Sequence, residues 1–321
     1  MAIPRRHHYL PQFYLQGFTK PPNGKKQGLL RVVDFFSGNC FFSSPKDVAN
    51  IRDYYTIESP DGEPDPIIET QVFGQIDGQA ATIIREIVSR RALPMGGEWA
   101  ALCRFVASLD TRIPRFRQMT YQIAQVYDDL QLLAKGGLTK DDVQRIQQEG
   151  GKEAEVDQVE HIAMMLDQIR QISEVAMQMT PHLLFAPIDT PFITSDSPIF
   201  KFDKDEKRRV AQLESVGWIT KEVEVTVPLS KGCCLVLDWT GRPRFMDGDR
   251  FMVANCNRLR AYASYQYLFA ESPDFVFLGS NSDILVGEKE VLHSFAASKQ
   301  GQAVEIVGGP LPPRPPKKHR R

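Results

Sequence analysis

The residues best suited to chemistry stand at the start of the chain. The run His7-His8-Tyr9-Leu10-Pro11-Gln12-Phe13-Tyr14-Leu15-Gln16-Gly17-Phe18 carries six aromatic or histidine side chains in twelve residues, beside Arg5 and Arg6. Imidazole titrates near neutrality, so His7 and His8 are candidates for acid–base chemistry or for holding a metal. Rings of this kind stack on bases while arginines meet phosphates, which would make Arg5, Arg6 and Tyr9 contacts to a nucleic acid. A second reading stands beside it. Tyr9, Phe13, Tyr14 and Phe18 would anchor the chain start in the core, as large rings usually do.

Other chemical signatures are missing from the sequence. There is no GxGxxG after a strand pattern, and no GxxxxGK[ST], HExxH or GxSxG. A nuclease-type acid pattern can be sought in Asp196 with Glu222-Val223-Glu224, but it lacks the lysine. The five cysteines are an odd number with no CxxC spacing, which fits free thiols in a reducing, cytoplasmic setting. Cys233 and Cys234 are neighbours in a strand pattern, so they point to opposite faces and cannot chelate together. His161 sits where the polar and apolar faces of a helix pattern meet, and reads as structural.

Charge is unevenly spread. The 321 residues carry 39 Lys+Arg and 40 Asp+Glu, a net charge of −1. Residues 1–33 contribute +6 and the last eight +5, so residues 34–313 carry −12. Basic ends on an acidic body either lie against it or serve an anionic partner such as nucleic acid. The first residues lack the apolar run of a secretory signal, and no stretch of ~20 apolar residues suggests a membrane span. Residues 301–321 are read as a Pro-rich basic tail, whose stretch 308–321 proline keeps out of helices and central strands.

The elements that must position these residues follow from periodicity. Leu29–Phe35 and Asn39–Ser43 flank Ser37-Gly38 as a hairpin, and Arg52–Glu58 reads as a strand. From about 67 to 180 the spacing is helical. Val72, Ile76, Ala80, Ile83, Ile84 and Ile87 mark one helix over 68–90, and Leu102, Phe105, Val106 and Leu109 mark the next. A third runs from Pro114 to Lys135, stopped by Gly136-Gly137, and Thr139 with Asp142 resembles the start of another. The sharpest stripe extends from Val156 to Met179. Beyond Pro181, Phe192–Thr194, Val223–Leu229, Cys233–Trp239 and Phe275–Leu278 read as strands. Phe251–Ser264 reads as a helix, and Ser282–Ala297 as a strand and a helix. The expected class is α+β, a single unit over 1–300 with a mostly helical middle packed on one sheet built from N- and C-terminal β segments.

The N-terminal run together with Phe192-Ile193-Thr194-Ser195-Asp196-Ser197-Pro198 resembles the bacterial DUF4238 family, whose members open on an HHY-P-FYL-F element and carry an FITSD-P element. Further matches are Ile68-Glu69 with Asp77, the helix end Leu109–Arg117 and Asn257-Arg258-Leu259. The resemblance spans about residues 5–270. It assigns a family and implies no activity.

The matching positions form one polar set: His7, His8, Glu69, Asp77, Arg112, Asp196 and Asn257. Glu69 and Asp77 lie about 12 Å apart along a helix at ~1.5 Å per residue, too far to hold one ion together. Glu69 with His7 or His8 and Asp196 would suit Mg²⁺ or Mn²⁺, with Arg112 clamping a phosphate. Against this, Glu69 and Arg112 could be an inter-helix salt bridge, Asp196 an Asx- or Ser-turn residue, and Asn257 a helix cap or interior hydrogen-bonder. Two functions therefore stand as expectations. One is a metal-dependent phosphodiester hydrolase, a nuclease of defence type. The other is a non-catalytic binding protein whose motif residues hold the β segments to the helical block.

Overall fold

The computed structural model describes residues 5–20, 28–59, 61, 63–122, 124, 157–203 and 217–302. The expected helix end at Lys135, its Gly136-Gly137 stop, the Thr139–Asp142 start and the tail 308–321 lie outside these residues. Residues 114–122 are helical, as the sequence predicts.

The helical middle forms as expected. Ile68–Phe73 is a π-helical turn that runs directly into α2 (Gly74–Arg90), which ends on Arg91 in the left-handed region. Helix α3 (Gly97–Thr111) packs on α2 and on helix α4 (Gln158–Gln178). The buried stripe of α2 is that of the periodicity, Ile76, Ala80, Ile83, Ile84 and Ile87; on α4 Ile162, Ile169 and Ala176 are buried as expected, joined by Met165, whereas Val159 and Ala163 of the same pattern are exposed.

The β structure is more divided than one sheet. After β1 (Arg6–His8) and the short α1 (Gln12–Gln16), β2 (Leu30–Asp34) and β3 (Cys40–Ser43) make the expected hairpin, with Gly38 at φ +69° in its turn. The strand expected over 52–58 breaks in two. Strand β4 (Asn50–Arg52) pairs with β1, Asp53 turns the chain at φ +56°, and β5 (Ile57–Glu58) pairs with β6 (Pro64–Asp65). Asp tolerates that conformation better than most residues, and it ends the pairing there.

Five later strands make a sheet of their own. They are β7 (Thr180–Phe185), β9 (Phe200–Asp203), β10 (Val223–Ser230), β11 (Cys233–Asp238) and β12 (Arg244–Asp247), ordered β12-β7-β11-β10-β9. All neighbours are antiparallel except β12 with β7. N- and C-terminal segments do meet, in a second sheet of order β3-β2-β13-β8, where β8 is Thr194–Ser195 and β13 is Tyr267–Ala270. A hairpin of β14 (Val276–Leu278) and β15 (Ile284–Val286) completes the set, flanked by α5 (Arg250–Ala263) and α6 (Glu288–Gln302).

The five-stranded sheet is covered on both faces. Leu183, Phe185, Val225, Val227, Cys233, Leu235 and Leu237 belong to the core shared with the helical block. Leu184, Cys234 and Val236 face α5 and β14 instead. Strands buried on both sides read as continuous apolar runs, so alternation could not announce them. As expected, Cys233 and Cys234 lie on opposite faces, and both are buried.

Tyr14 on α1 joins the two sheets. Its hydroxyl donates to the Pro228 carbonyl on β10 (2.9 Å) and lies 2.8 Å from Thr194 Oγ1 on β8. Gly17 brings the chain against the β10–β11 turn, where a Cβ would sit 3.4 Å from Ser230 Cα. Phe18 and Tyr14 are buried and Phe13 is partly so, as expected for a pinned chain start. Tyr14→Phe is expected to lower stability by about 1 kcal/mol, since it strands a buried acceptor without opening a cavity. A urea midpoint equal to that of the wild type would deny the hydroxyl this role.

Candidate functional site

Strand β1 places His7 and His8 opposite Ile51 and Asn50, and both are buried. The His7 ring lies nearly parallel to Tyr55 (5.8 Å between centroids, 7°), and its Nδ1 accepts the Tyr55 N–H at 2.9 Å. His8 Nε2 lies 3.2 Å from the Lys46 carbonyl, which only accepts, so that nitrogen carries the proton. Burial lowers the pKa of His8, only partly offset by that carbonyl. What reaches Glu69 and Arg112 is the main chain of His8. Its N–H donates to Glu69 Oε1 (3.4 Å), and its carbonyl accepts from Arg112 Nη2 (2.8 Å).

Arg112 caps the end of α3 and is 1% exposed. Its Nη1 donates to Asp77 (2.8 Å), its Nη2 lies 4.0 Å from Glu69, and the guanidinium sits 3.9 Å over the Phe73 ring. The two acids, eight residues apart, therefore straddle one guanidinium. Burial opposes the charge on Arg112, but Asp77, Tyr55 and Glu69 outweigh it and hold its pKa above the ordinary value. Burial likewise pushes both carboxyls up, while the guanidinium pulls them back. Of the two acids Glu69 is held less closely, at 4.0 Å, and its Oε2 has no hydrogen-bond partner. Arg112 is thus the inter-helix salt bridge rather than the phosphate clamp. It is too enclosed and too occupied to receive a phosphate.

Asp196 directly follows β8, at the strand end that the pattern implies, but its carboxylate is committed. Oδ1 accepts from Tyr265 N (2.8 Å), and Oδ2 from Gln266 N (2.7 Å) and Tyr267 N (2.9 Å). The turn itself belongs to Ser195, whose hydroxyl bonds to both the N–H and the carbonyl of Ser197. Asp196 is 3% exposed, so the expected Glu69–Asp196 pair does not fit as metal ligands. Among the described residues, no group of three or more His, Cys, Asp or Glu side chains is placed to hold a metal ion.

Asn257 is the interior hydrogen-bonder. It accepts from Ile193 N (2.9 Å) and donates to the carbonyls of Pro191 and Val276. Of the expected substrate contacts, Tyr9 is buried, while Arg5 and Arg6 are exposed and ion-paired to Asp53 and Asp47. His161 is structural, with Nδ1 3.2 Å from Thr120 Oγ1 and burial pushing its pKa down to about 4.

Two features escaped the sequence reading. Arg260 is fully buried on the apolar face of α5, donating to the carbonyls of Pro198 and Thr226 and to Thr226 Oγ1. A charge on that apolar stripe was the available signal. The second is a cavity of about 270 Å³ between α5 and the five-stranded sheet, with His182, Glu224, Met246 and Cys256 among its walls. His182 has both ring nitrogens engaged, Nε2 with Asp238 (2.9 Å) and Nδ1 accepting from Arg244 N, so it offers no free base.

Two measurements follow. Asp196→Asn exchanges one carboxylate oxygen for an NH₂ group facing main-chain donors, and is expected to cost about 2 kcal/mol of stability. Chemical denaturation giving an unchanged midpoint would reject this role. For His161, the unfolded ring takes up a proton near its ordinary pKa of about 6.5, and the buried ring only near 4. Between those values the unfolded state binds more protons, so stability falls as pH falls. His161→Gln is expected to remove up to about 3 kcal/mol of that loss, leaving the part due to His8. Urea titrations from pH 7 to 4.5 with identical slopes for both proteins would refute it.

No curated protein and no solved structure matches the chain. The family model described as DUF4238, protein of unknown function, matches residues 6–274, which takes in β1, the helical block, both sheets and α5. The chain belongs to the DUF4238 family.

Proposed function

We propose that this protein is a non-catalytic, cytoplasmic binding protein for nucleic acid, with the basic run Arg314–Arg321 as its electrostatic contact. The observation that carries the non-catalytic reading is where the polar groups of the set end. Arg112, Asp196 and Asn257 are buried and spend their hydrogen bonds on main-chain groups or on Asp77. Such groups hold a fold together and leave little to offer a substrate. The choice of partner rests on charge. Arg5 and Arg6 are already paired with acids of the body, whereas residues 314–321 hold five cations and no acid. Consistent with a non-membrane setting, no helix among the described residues is long and apolar enough to cross a membrane.

A second reading, hydrolysis of phosphodiesters, is favoured by one observation. Glu69 is a carboxyl whose pKa burial raises, with Oε2 accepting no hydrogen bond though 4.0 Å from Arg112, and it lies beside the His8 main chain. A buried carboxyl shifted in this direction is the kind of group that serves as a general acid.

The full chain and a variant lacking 308–321 are compared for DNA and RNA binding across a salt series. Loss of the run is expected to weaken binding and flatten the log K against log[salt] slope by about 4, the value for five phosphate contacts. Equal slopes would remove nucleic acid as the partner. Cleavage of DNA, RNA or tRNA by the wild type, with or without Mg²⁺ or Mn²⁺, that is lost in Glu69→Gln at unchanged melting temperature would install the second reading instead.

A further inference from the structure

The cavity beside α5 is built on one face of the five-stranded sheet, and its walls are graded. Arg244 and Met246 of β12 share that face with His182 and Leu184 of β7, which stand opposite them in the register. Val236 of β11 lies across from His182, so Arg244, His182 and Val236 form one row and Met246 and Leu184 the next. Asp238 stands on the other side of that first row, opposite Thr180. Helix α5 closes the space with Met252, Asn255, Cys256 and Leu259, a face spaced i, i+3, i+4, i+7. One end of the cavity is therefore charged and the other apolar. Leu184 and Val236, with Met246 and Met252 packed against them, belong to one hydrophobic cluster.

The charged end holds both signs without joining them. Asp238 accepts from His182 and from the Thr240 N–H and hydroxyl. Arg244 donates its main-chain N–H to His182, but no hydrogen bond or ion pair engages its guanidinium among the described residues. The two residues are two strands and two positions apart, about 12 Å between Cα atoms at ~4.8 Å per strand and ~3.3 Å per residue. Arg244 and Asn255 are exposed at the mouth, whereas Asp238 is buried. Glu224 on β10 adds a second acid to the wall. Small-molecule sites take this form, an apolar body with a few convergent polar groups.

We propose that the cavity binds an α-amino acid with an apolar side chain. Its carboxylate meets the Arg244 guanidinium, its ammonium faces Asp238 and Glu224, and its side chain lies among Leu184, Val236, Met246 and Met252. Charge decides between this and simpler ligands. A plain carboxylate would bring a third negative charge near two acids, and a plain amine would leave the guanidinium without an anion. A zwitterion complements both. Size agrees. At ~30 Å³ per non-hydrogen atom, the share of a water molecule in the liquid, the cavity of about 270 Å³ holds about nine such atoms, the size of leucine. The two methionines, unbranched and flexible, adapt to an apolar guest. His182 has both ring nitrogens engaged, so the site binds its ligand without a base to act on it. None of the tail residues proposed to contact nucleic acid takes part, so the two proposals fail separately.

The test is isothermal titration of the full-length protein with L-leucine, L-methionine, glycine, 4-methylpentanoate and 3-methylbutylamine. The expected result is saturable one-to-one binding of leucine and methionine. Glycine lacks the side chain and the last two carry one charge each, so all three should bind at least roughly tenfold more weakly. Arg244→Gln keeps the main-chain bond to His182, and is expected to weaken leucine binding at least roughly tenfold at an unchanged melting temperature. Failure of both leucine and methionine to saturate the wild type overturns the proposal. So does 4-methylpentanoate or 3-methylbutylamine binding as tightly as leucine, or a folded Arg244→Gln that binds leucine like the wild type. The single-charge ligands are read on the wild type, which keeps the test decisive if the variant fails to fold.

Discussion

A guanidinium with almost no access to water, Arg112, sets the terms for half of this fold. Burying such a charge costs several kcal/mol unless it is paired and hydrogen bonded, and leaving it without its partners would cost about 3–5 kcal/mol. The chain meets that demand from three directions. Asp77 comes from α2, the His8 carbonyl from β1, and the Phe73 ring from the π-helical turn, with Glu69 at the second flank. The first strand, the first long helix and the end of α3 are therefore positioned by one side chain. Tyr55 closes the arrangement, donating its hydroxyl to the Arg112 carbonyl while its own N–H is taken by His7.

The same logic governs the segment Phe192–Pro198. Only Thr194 and Ser195 pair as strand, yet most of the segment is buried, so its main-chain groups need partners from outside the sheet. Asn257 satisfies Ile193, Arg260 satisfies Pro198, and Asp196 gathers three amides from the turn after α5. Two of these residues, Asn257 and Asp196, fall in the polar set that looked chemical. Buried polar side chains that complete a main chain are as constrained in type and place as catalytic ones, and type and place are all a sequence displays.

Helix α5 carries two different duties on neighbouring positions. Asn257 and Arg260 fasten it to the interior, while Cys256 opens onto the cavity. Its N-terminus is fixed by Asp249, which accepts the Met252 N–H at 2.8 Å. A helix held this firmly keeps its cavity wall in place.

The sequence alone determined the local elements with their own period: α2, α3 and α4, the β2–β3 hairpin with Gly38 in its turn, α5, and the opposed faces of Cys233 and Cys234. Each is written in spacings of two, three or four residues, which the backbone enforces without reference to the rest of the chain. The anchoring of Tyr14 and Phe18 was legible for a similar reason, since rings of that size rarely stay in water. Tertiary structure decided the remainder. It split the β segments into two sheets, because strands covered on both faces lose the alternation that would reveal them. It also chose between chemistry and support for Arg112, Asp196 and Asn257. Their bonds to His8, Ile193 and Tyr265 join residues 64 to 104 positions apart, and those pairings leave no periodic trace. A carboxylate bound to three amides and one bound to a metal ion are the same letter in a sequence, and only the atoms around the oxygens tell them apart.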